Sequence, residues 1–349
     1  MLPGEDGLNQ EQDEKRTITV RDVAQKAGVG TSTVSRVINN QTGVHANTRR
    51  EILKVMLELG YQPHVMAQGL RHQKFPTIGM VVSNITNPLF AAIVQATEAC
   101  LQQQGYQLLL GITNGDLQKE AIMFETLVRQ RVSGIIASVV SDRTDRSLRT
   151  ALDYHIPVVL LDREIAGLEV DGVTHDYATG SQQAIEYLVN LGHRVIGLII
   201  STAILPGRAR LTALQDHMLR LGLSLPAECL CDVKMEAEEG YRAMQGLLAL
   251  ANRPTAVIAG SNQLFVGVLK ALREARLRYP DDLSLISYDD VDITRLVDPA
   301  ITVVTRDLAQ FGREAADLIL KKVQGGQQET QRRSLPTELL IRESCASPK

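Results

Sequence analysis

Residues 20–39 read Val20-Arg-Asp-Val-Ala-Gln-Lys-Ala-Gly-Val-Gly-Thr-Ser-Thr-Val-Ser-Arg-Val-Ile-Asn39, and two short helical patterns meet there at a glycine. Val20, Val23, Ala24 and Ala27 fall on one helical face, and Val34, Val37 and Ile38 form a second. Ala24, Gly28 and Val34 sit at the three spacings of a helix-turn-helix. A small residue lets the helices approach, a glycine takes the positive φ of the turn, and a valine fills the gap between them. The outer side of the second helix carries Thr31, Ser32, Ser35, Arg36 and Asn39, a set of donors and acceptors suited to a DNA major groove. An ordinary core hairpin is disfavoured, because faces this short bury little by themselves and the exposed side lacks Glu/Lys filler.

Charge supports the same reading. The chain of 349 residues has a net charge of −3, but this is unevenly spread. Residues 1–16 carry five acids and two bases, and residues 17–75 carry eight bases and three acids. The remainder is therefore acidic by five charges. A basic head on an acidic body points to a polyanion as the partner of the head. With 44% hydrophobic residues and no apolar run of membrane-spanning length, a soluble protein without membrane contact is expected. Four cysteines make no disulfide framework, and Cys229 and Cys231 lack further ligands at zinc spacing. The polar, acidic N-terminus lacks the pattern of an export signal, so the expected location is the cytoplasm.

Residues 1–16 read as a disordered tail and 17–60 as the DNA-binding head. Thr19 is the expected N-cap of the first helix. A third helix is expected from about Asn47 to Leu59, ending at Gly60. Residues 61–75 read as a short helix and linker, too brief and too glycine-weakened to be stable without DNA or a partner chain. From residue 76 to 349, short apolar strands alternate with helices in two rounds, which implies parallel sheets covered on both faces and two similar lobes. Strands are expected near 77–83, 106–112, 134–139, 157–161, 170–174, 195–200, 255–259 and 283–287. A final strand, helix and strand over 301–342 return to the lobes, with crossings near 175, 305 and 330.

No catalytic motif is recognisable. A phosphate loop and a His-Glu-x-x-His are missing, and Gly28-Val-Gly30 is neither preceded by a strand nor completed by a third glycine. What remains is a set of polar residues at strand ends, where open α/β sheets bind ligands. These are Asn87, Asp162, Arg163 and Asp289, with Arg210 near the start of a helix in the second lobe. Each alone reads as a solvated loop residue. Together they suit a small polyhydroxy ligand, with Phe90 or Met235 over a ring face. Arg163, Arg210 and Lys234 hint at an acidic sugar.

From Thr17 to about Ser344 the chain resembles the LacI/GalR family of bacterial transcription regulators. The resemblance is carried by Gly28 to Asn39, by Leu59-Gly-Tyr-Gln-Pro63 with Ala67 and Leu70, by Asn87-Pro-Leu-Phe90, Leu191-Gly-His-Arg194, Arg253-Pro-Thr-Ala-Val257 and Ser287-Tyr-Asp-Asp290. It implies that Thr31, Ser32 and Arg36 read bases, that Thr33, Ser35 and Asn39 hold the backbone, and that Leu70 wedges into the minor groove. It also implies a periplasmic-binding-protein-like body. There Asp162, Arg210 and Asp289 would contact an effector, and Asn87, Phe90, Arg163, Met235 and Gln263 would line its pocket. Four departures stand out: Gly30 and His45 at the usual caps of the second and third helices, His64 after the hinge proline, and Gln263 after Asn262 where Asp is usual. The expected protein is a homodimeric repressor of carbohydrate-related genes that binds a palindromic operator under a sugar or sugar-acid effector, with no cofactor, metal or catalysis. The alternatives are a sugar-binding protein without DNA function, a nucleobase- or nucleoside-responsive regulator, and an enzyme on an α/β scaffold.

Overall fold

The computed structural model describes residues 18–38, 41–61, 75–144, 146–325 and 329–349. The chain divides into two compact units, 1–75 and 76–349. Asn39 and the whole 62–70 segment with Leu70 and His64 lie outside the described residues.

The first unit is built from α1 (Val20–Lys26), α2 (Thr31–Ile38) and α3 (Ala46–Leu59). The Asp22 carboxylate closes the start of α1, accepting from the Thr19 backbone N–H at 2.7 Å and its hydroxyl at 2.6 Å. Gly28 turns the chain with φ +65°, and the Val29 N–H then donates to the Ala24 carbonyl at 3.1 Å. Val23, Val34 and Ile52 are fully buried, one from each helix, so the three helices share one small core with Ala24, Val37 and Val55. Each such side chain contributes about 1.5–3 kcal/mol of apolar burial. His45 precedes α3 without a side-chain cap, while Gly60 ends it in the left-handed region. There Tyr61 N–H donates to Met56 O at 2.9 Å, satisfying a terminal carbonyl.

The second unit contains two six-stranded sheets. In chain order its elements are β1 (Phe75–Val82), α4 (Pro88–Gln103), β2 (Gln107–Ile112), α5 (Leu117–Arg129), β3 (Val132–Ala137), α6 (Arg146–Leu152), β4 (Val158–Leu161) and β5 (Asp171–Asp176). The second lobe follows with α7 (Tyr177–Asn190), β6 (Ile196–Ile200), α8 (Leu205–Arg220), β7 (Leu230–Asp232), α9 (Ala237–Leu248), β8 (Ala256–Ala259), α10 (Asn262–Glu274), β9 (Ser284–Tyr288), α11 (Asp292–Leu296) and β10 (Thr302–Thr305). The chain ends with α12 (Leu308–Val323), β11 (Arg332–Pro336) and β12 (Glu338–Leu340).

The strand orders are β11-β5-β4-β3-β1-β2 and β12-β10-β9-β8-β6-β7. The lobes are therefore duplicates, with β4 of one equivalent to β9 of the other and β5 equivalent to β10. Central strands such as Val158–Leu161 and Ala256–Ala259 are buried throughout, as strands covered on both faces must be. Helix α12 packs on α4 and beneath β3, β4 and β5, so it belongs to the first lobe although it follows the second in sequence.

Three differences from the sequence expectation have physical causes. The last strand is two strands, β11 parallel to β5 and β12 antiparallel to β10, so the sheets are not wholly parallel. The third crossing accordingly lies at Thr337 and not near 330, because 332–336 still extends the first sheet. Helices α6 and α11 and strand β7 go beyond the elements expected from sequence. They are seven, five and three residues long, too short for a periodic signal.

Candidate functional site

The two equivalent strands end alike. Asp162 follows β4 with φ +50° and Asp289 follows β9 with φ +74°. Each donates its backbone N–H across to the next strand, Asp162 to Val173 O and Asp289 to Val304 O, both at 2.9 Å. Holding a non-glycine residue in the left-handed region costs about 1–2 kcal/mol, and here it turns a carboxylate from each lobe toward the other.

Between them lies Arg306, on the crossing that joins β10 to α12. Its Nε donates to Asp289 Oδ1 at 2.9 Å and its Nη1 to Asp162 Oδ2 at 2.9 Å. The same Nη1 reaches the Tyr177 hydroxyl oxygen at 2.9 Å. All these groups are buried or nearly so. Burial raises the Asp162 carboxyl, but its pairing with His175, the charge of Arg306 and a hydrogen bond from Tyr177 outweigh it and hold the group well below the usual carboxylate range. Burial likewise opposes the charge on Arg306, yet Asp289 and Asp162 keep its guanidinium firmly protonated. Burial lowers His175 more than Asp162 raises it, so the imidazole is neutral. In that state Nδ1–H donates to Asp162 Oδ1 at 3.1 Å, and Nε2 is a buried nitrogen without a hydrogen-bond partner. The ring stacks on Phe311 with centroids 4.3 Å apart.

Arg210, on α8 of the second lobe, is 3% exposed. Its guanidinium carbon lies 4.7 Å from the Tyr177 ring centroid and 4.4 Å from that of Tyr288. Both phenols are kept un-ionised; burial drives each upward, Tyr288 to about 12. The Tyr288 hydroxyl is held at 2.5 Å from Ser181 Oγ. Arg210 Nη1 donates to Gly260 O at 2.7 Å. Helix α8 can bring Arg210 this deep because Gly207, in its first turn, lies against the backbone of Ser201; a Cβ there would stand 1.6 Å from the Ser201 carbonyl oxygen.

Asp162, Arg210, Asp289 and Arg306 line a cavity of about 120 Å³ between the lobes. All eight residues expected around an effector, Asn87, Phe90, Asp162, Arg163, Arg210, Met235, Gln263 and Asp289, are on its wall. Arg163 is largely committed to the scaffold, donating from Nε to Val139 O and from Nη1 to Asp162 O, both at 2.8 Å. Asn87 caps α4 through Leu89 N–H and accepts from Asn262 Nδ2 of the other lobe at 3.0 Å. Lys234 is exposed and does not line the cavity. The sequence reading missed Arg306 and Asn262 on the wall, and His175, Tyr177 and Tyr288 behind it. The rule that polar residues collect where strands end applies to Arg306 as well, since it directly follows β10.

At the lip, the first lobe's Asp142 reaches the second lobe. Its Oδ2 accepts from Leu205 N–H at 2.8 Å and from Arg208 Nη2 at 2.6 Å. Replacing Asp142 with Ala leaves both donors unpaired. We expect a loss of about 1–3 kcal/mol, read as a lower urea midpoint. An unchanged midpoint would mean that water replaces the carboxylate at no cost. A larger groove of about 750 Å³, lined by Val266, Leu269, Leu277, Ile293 and Val297 among others, gathers no comparable set of buried polar groups and is not the candidate site. Among the described residues, no cluster of His, Cys, Asp and Glu is placed to hold a metal ion, and no helix is long and apolar enough to cross a membrane.

In the head, Thr31, Ser32 and Arg36 are exposed along α2, while Thr33 and Ser35 are partly covered. The α2 side opposite them supplies Val34 and Val37 to the core, so the polar face is presented outward by the same packing that fixes the helix.

Comparison with known proteins agrees with both units. Residues 19–64 match the model of bacterial regulatory proteins of the lacI family, and residues 185–345 match that of a periplasmic binding protein-like domain. The chain is 33% identical over 331 residues to the HTH-type transcriptional repressor PurR of Klebsiella pneumoniae, covering 94% of this chain and 97% of that one. It is 29% identical over 332 residues to the ribose operon repressor of Haemophilus influenzae, covering 95% and 99%. The lac repressor dimer bound to operator and the anti-inducer ONPF superposes with a TM-score of 0.85 at 26% identity, covering 95% of this chain and all of that one.

Proposed function

We propose, from the premise that the chain belongs to the LacI family of bacterial regulatory proteins, that it is a homodimeric transcriptional repressor. Its two heads read the halves of a palindromic operator, and a small polyhydroxy effector in the cleft of the body controls it. The observation that carries the effector reading is the convergence of both lobes on one small cavity through Asp162, Asp289, Arg210 and Arg306. An effector acts by binding the DNA-competent and DNA-incompetent states unequally, so its coupling equals the ratio of those affinities. The carbohydrate-related genes expected as targets follow from this effector class, and the protein is assigned no catalytic activity.

On the operator, Thr31, Ser32 and Arg36 contact base edges, Thr33, Ser35 and Asn39 hold the backbone, and Leu70 is the minor-groove wedge. Replacing Arg36 with Ala should cost about 1–3 kcal/mol and relax the preference at one base pair of each half-site. Binding assays on an operator and its single-base variants check this; a loss equal on every sequence would make Arg36 a phosphate contact. The broader test is recovery of genomic fragments bound by the purified protein at physiological salt. One enriched palindrome supports the regulator. An absence of enrichment, with and without cell-extract metabolites, would overturn it.

A further inference from the structure

We infer that the cleft selects a small hydroxy acid over the corresponding neutral sugar, with Arg210 receiving its carboxylate and Arg306 setting the preference. This rests on the effector reading of the cleft and goes one step further, to the charge of the ligand.

The hydrogen-bonding groups of the cavity are unequally committed. Neutral sugars are held chiefly by carboxylates that accept from their hydroxyls. In this cavity Arg306 already occupies an oxygen of each available aspartate, Asp289 Oδ1 and Asp162 Oδ2, and His175 takes Asp162 Oδ1. The aspartates are thus largely spent on a protein cation. Arg163 is turned to the carbonyls of Val139 and Asp162, with the buried carboxylate of Glu120 nearby, and the Arg208 guanidinium is paired with Asp142 at the lip.

Arg210 is different. Its one hydrogen bond among the described residues runs from Nη1 to Gly260 O. Its Nε is buried with no hydrogen-bond partner, and its Nη2 lies 3.9 Å from the nearest carboxylate oxygen, Asp289 Oδ1, the same atom that accepts from Arg306. The Nε and Nη2 edge is the fork that grips a carboxylate with two parallel hydrogen bonds. Tyr177 and Tyr288 hold the guanidinium plane in place, so the fork is rigid before a ligand arrives. Asn262 Oδ1, on the same wall, is also buried without a donor, and a ligand hydroxyl would satisfy it. A cavity of about 120 Å³ is small beside the roughly 300–1,000 Å³ of drug-sized pockets and suits an acid of a few carbons.

The test is calorimetric titration of the full-length protein with matched pairs, D-ribonate against D-ribose and D-gluconate against D-glucose. In at least one pair the acid should bind about tenfold or more tighter. Arg210→Lys, which keeps the charge but loses the fork, should weaken the acid about tenfold while the melting curve confirms a folded protein. Arg306→Gln frees the aspartates and removes a cation, so the preference should fall about tenfold or invert toward the neutral sugar. Preference for the neutral member in the wild type would overturn the inference and leave the effector site standing. Acid binding unaffected by both variants would place the acid elsewhere and overturn it too. If no member of either pair binds, the inference fails. Operator binding by the same samples then decides separately whether the regulator reading survives.

Discussion

Replacing Arg306 with Ala is expected to lower the unfolding free energy by about 3–5 kcal/mol near neutral pH, because it strips the shared cation from two buried carboxylates. The loss should depend on pH in a defined direction. In the native protein the lowered Asp162 carboxyl contributes stability above the unfolded carboxylate range, about pH 3.9, and that contribution fades only as pH falls through its depressed value. Without Arg306, burial is opposed only by His175 and the Tyr177 hydroxyl, so the Asp162 carboxyl rises. A raised carboxyl is tolerated below the unfolded value and penalised above it. The gap between variant and wild type should therefore be widest near pH 7.5 and narrow toward pH 4. Urea unfolding at several pH values measures it, and a gap that stays constant or widens on acidification would refute the shared-cation assignment.

Replacing Gly207 with Ala should be comparably damaging for a steric reason. The new methyl would stand 1.6 Å from the Ser201 carbonyl oxygen, a backbone atom that cannot swing away. Either the first turn of α8 moves or the end of β6 does. We expect a loss of about 3 kcal/mol, the upper end of overpacking costs. Arg210 and Arg208 ride on the same helix, so any movement of α8 shifts the guanidinium from between its two tyrosines and strains the lip bridge to Asp142. Urea unfolding reports the first effect and ligand titration of the folded fraction the second. A variant with wild-type stability would show that α8 is not seated as described.

How legible was this in the sequence? The head was nearly complete there, because its packing is local: Val23, Val34 and Ile52 lie within about thirty residues, and helical spacing alone brings them together. The lobes were legible as alternating elements. Their pairing was not, since β11 joins β5 across roughly 160 residues and no periodicity records a partner that distant. Of the eight residues on the cavity wall, Asn87, Asp162, Arg163 and Asp289 are legible as polar residues at strand ends, where the family resemblance also points, whereas Gln263 is reached through the resemblance alone. Tyr177 and Tyr288 were hidden for the opposite reason. A tyrosine at the start of a helix or the end of a strand reads as packing, and only the third dimension shows a guanidinium between the two rings. Arg306 is hidden because the 301–342 stretch, a strand, a helix and a strand, carries the pattern of a connection between lobes, and nothing local marks one of its cations as facing a cleft.

That joining segment gives Arg306 a further meaning. The residue that touches the carboxylates of both lobes is also part of one of the three chain crossings on which the lobes would pivot. A sensor mounted on a pivot works like the fulcrum of a balance: a change of partner there needs little travel, yet it is magnified at the ends of the arms. A ligand only a few carbons long, too small to push the lobes apart by its bulk, can in this way govern their angle by changing what one arginine holds.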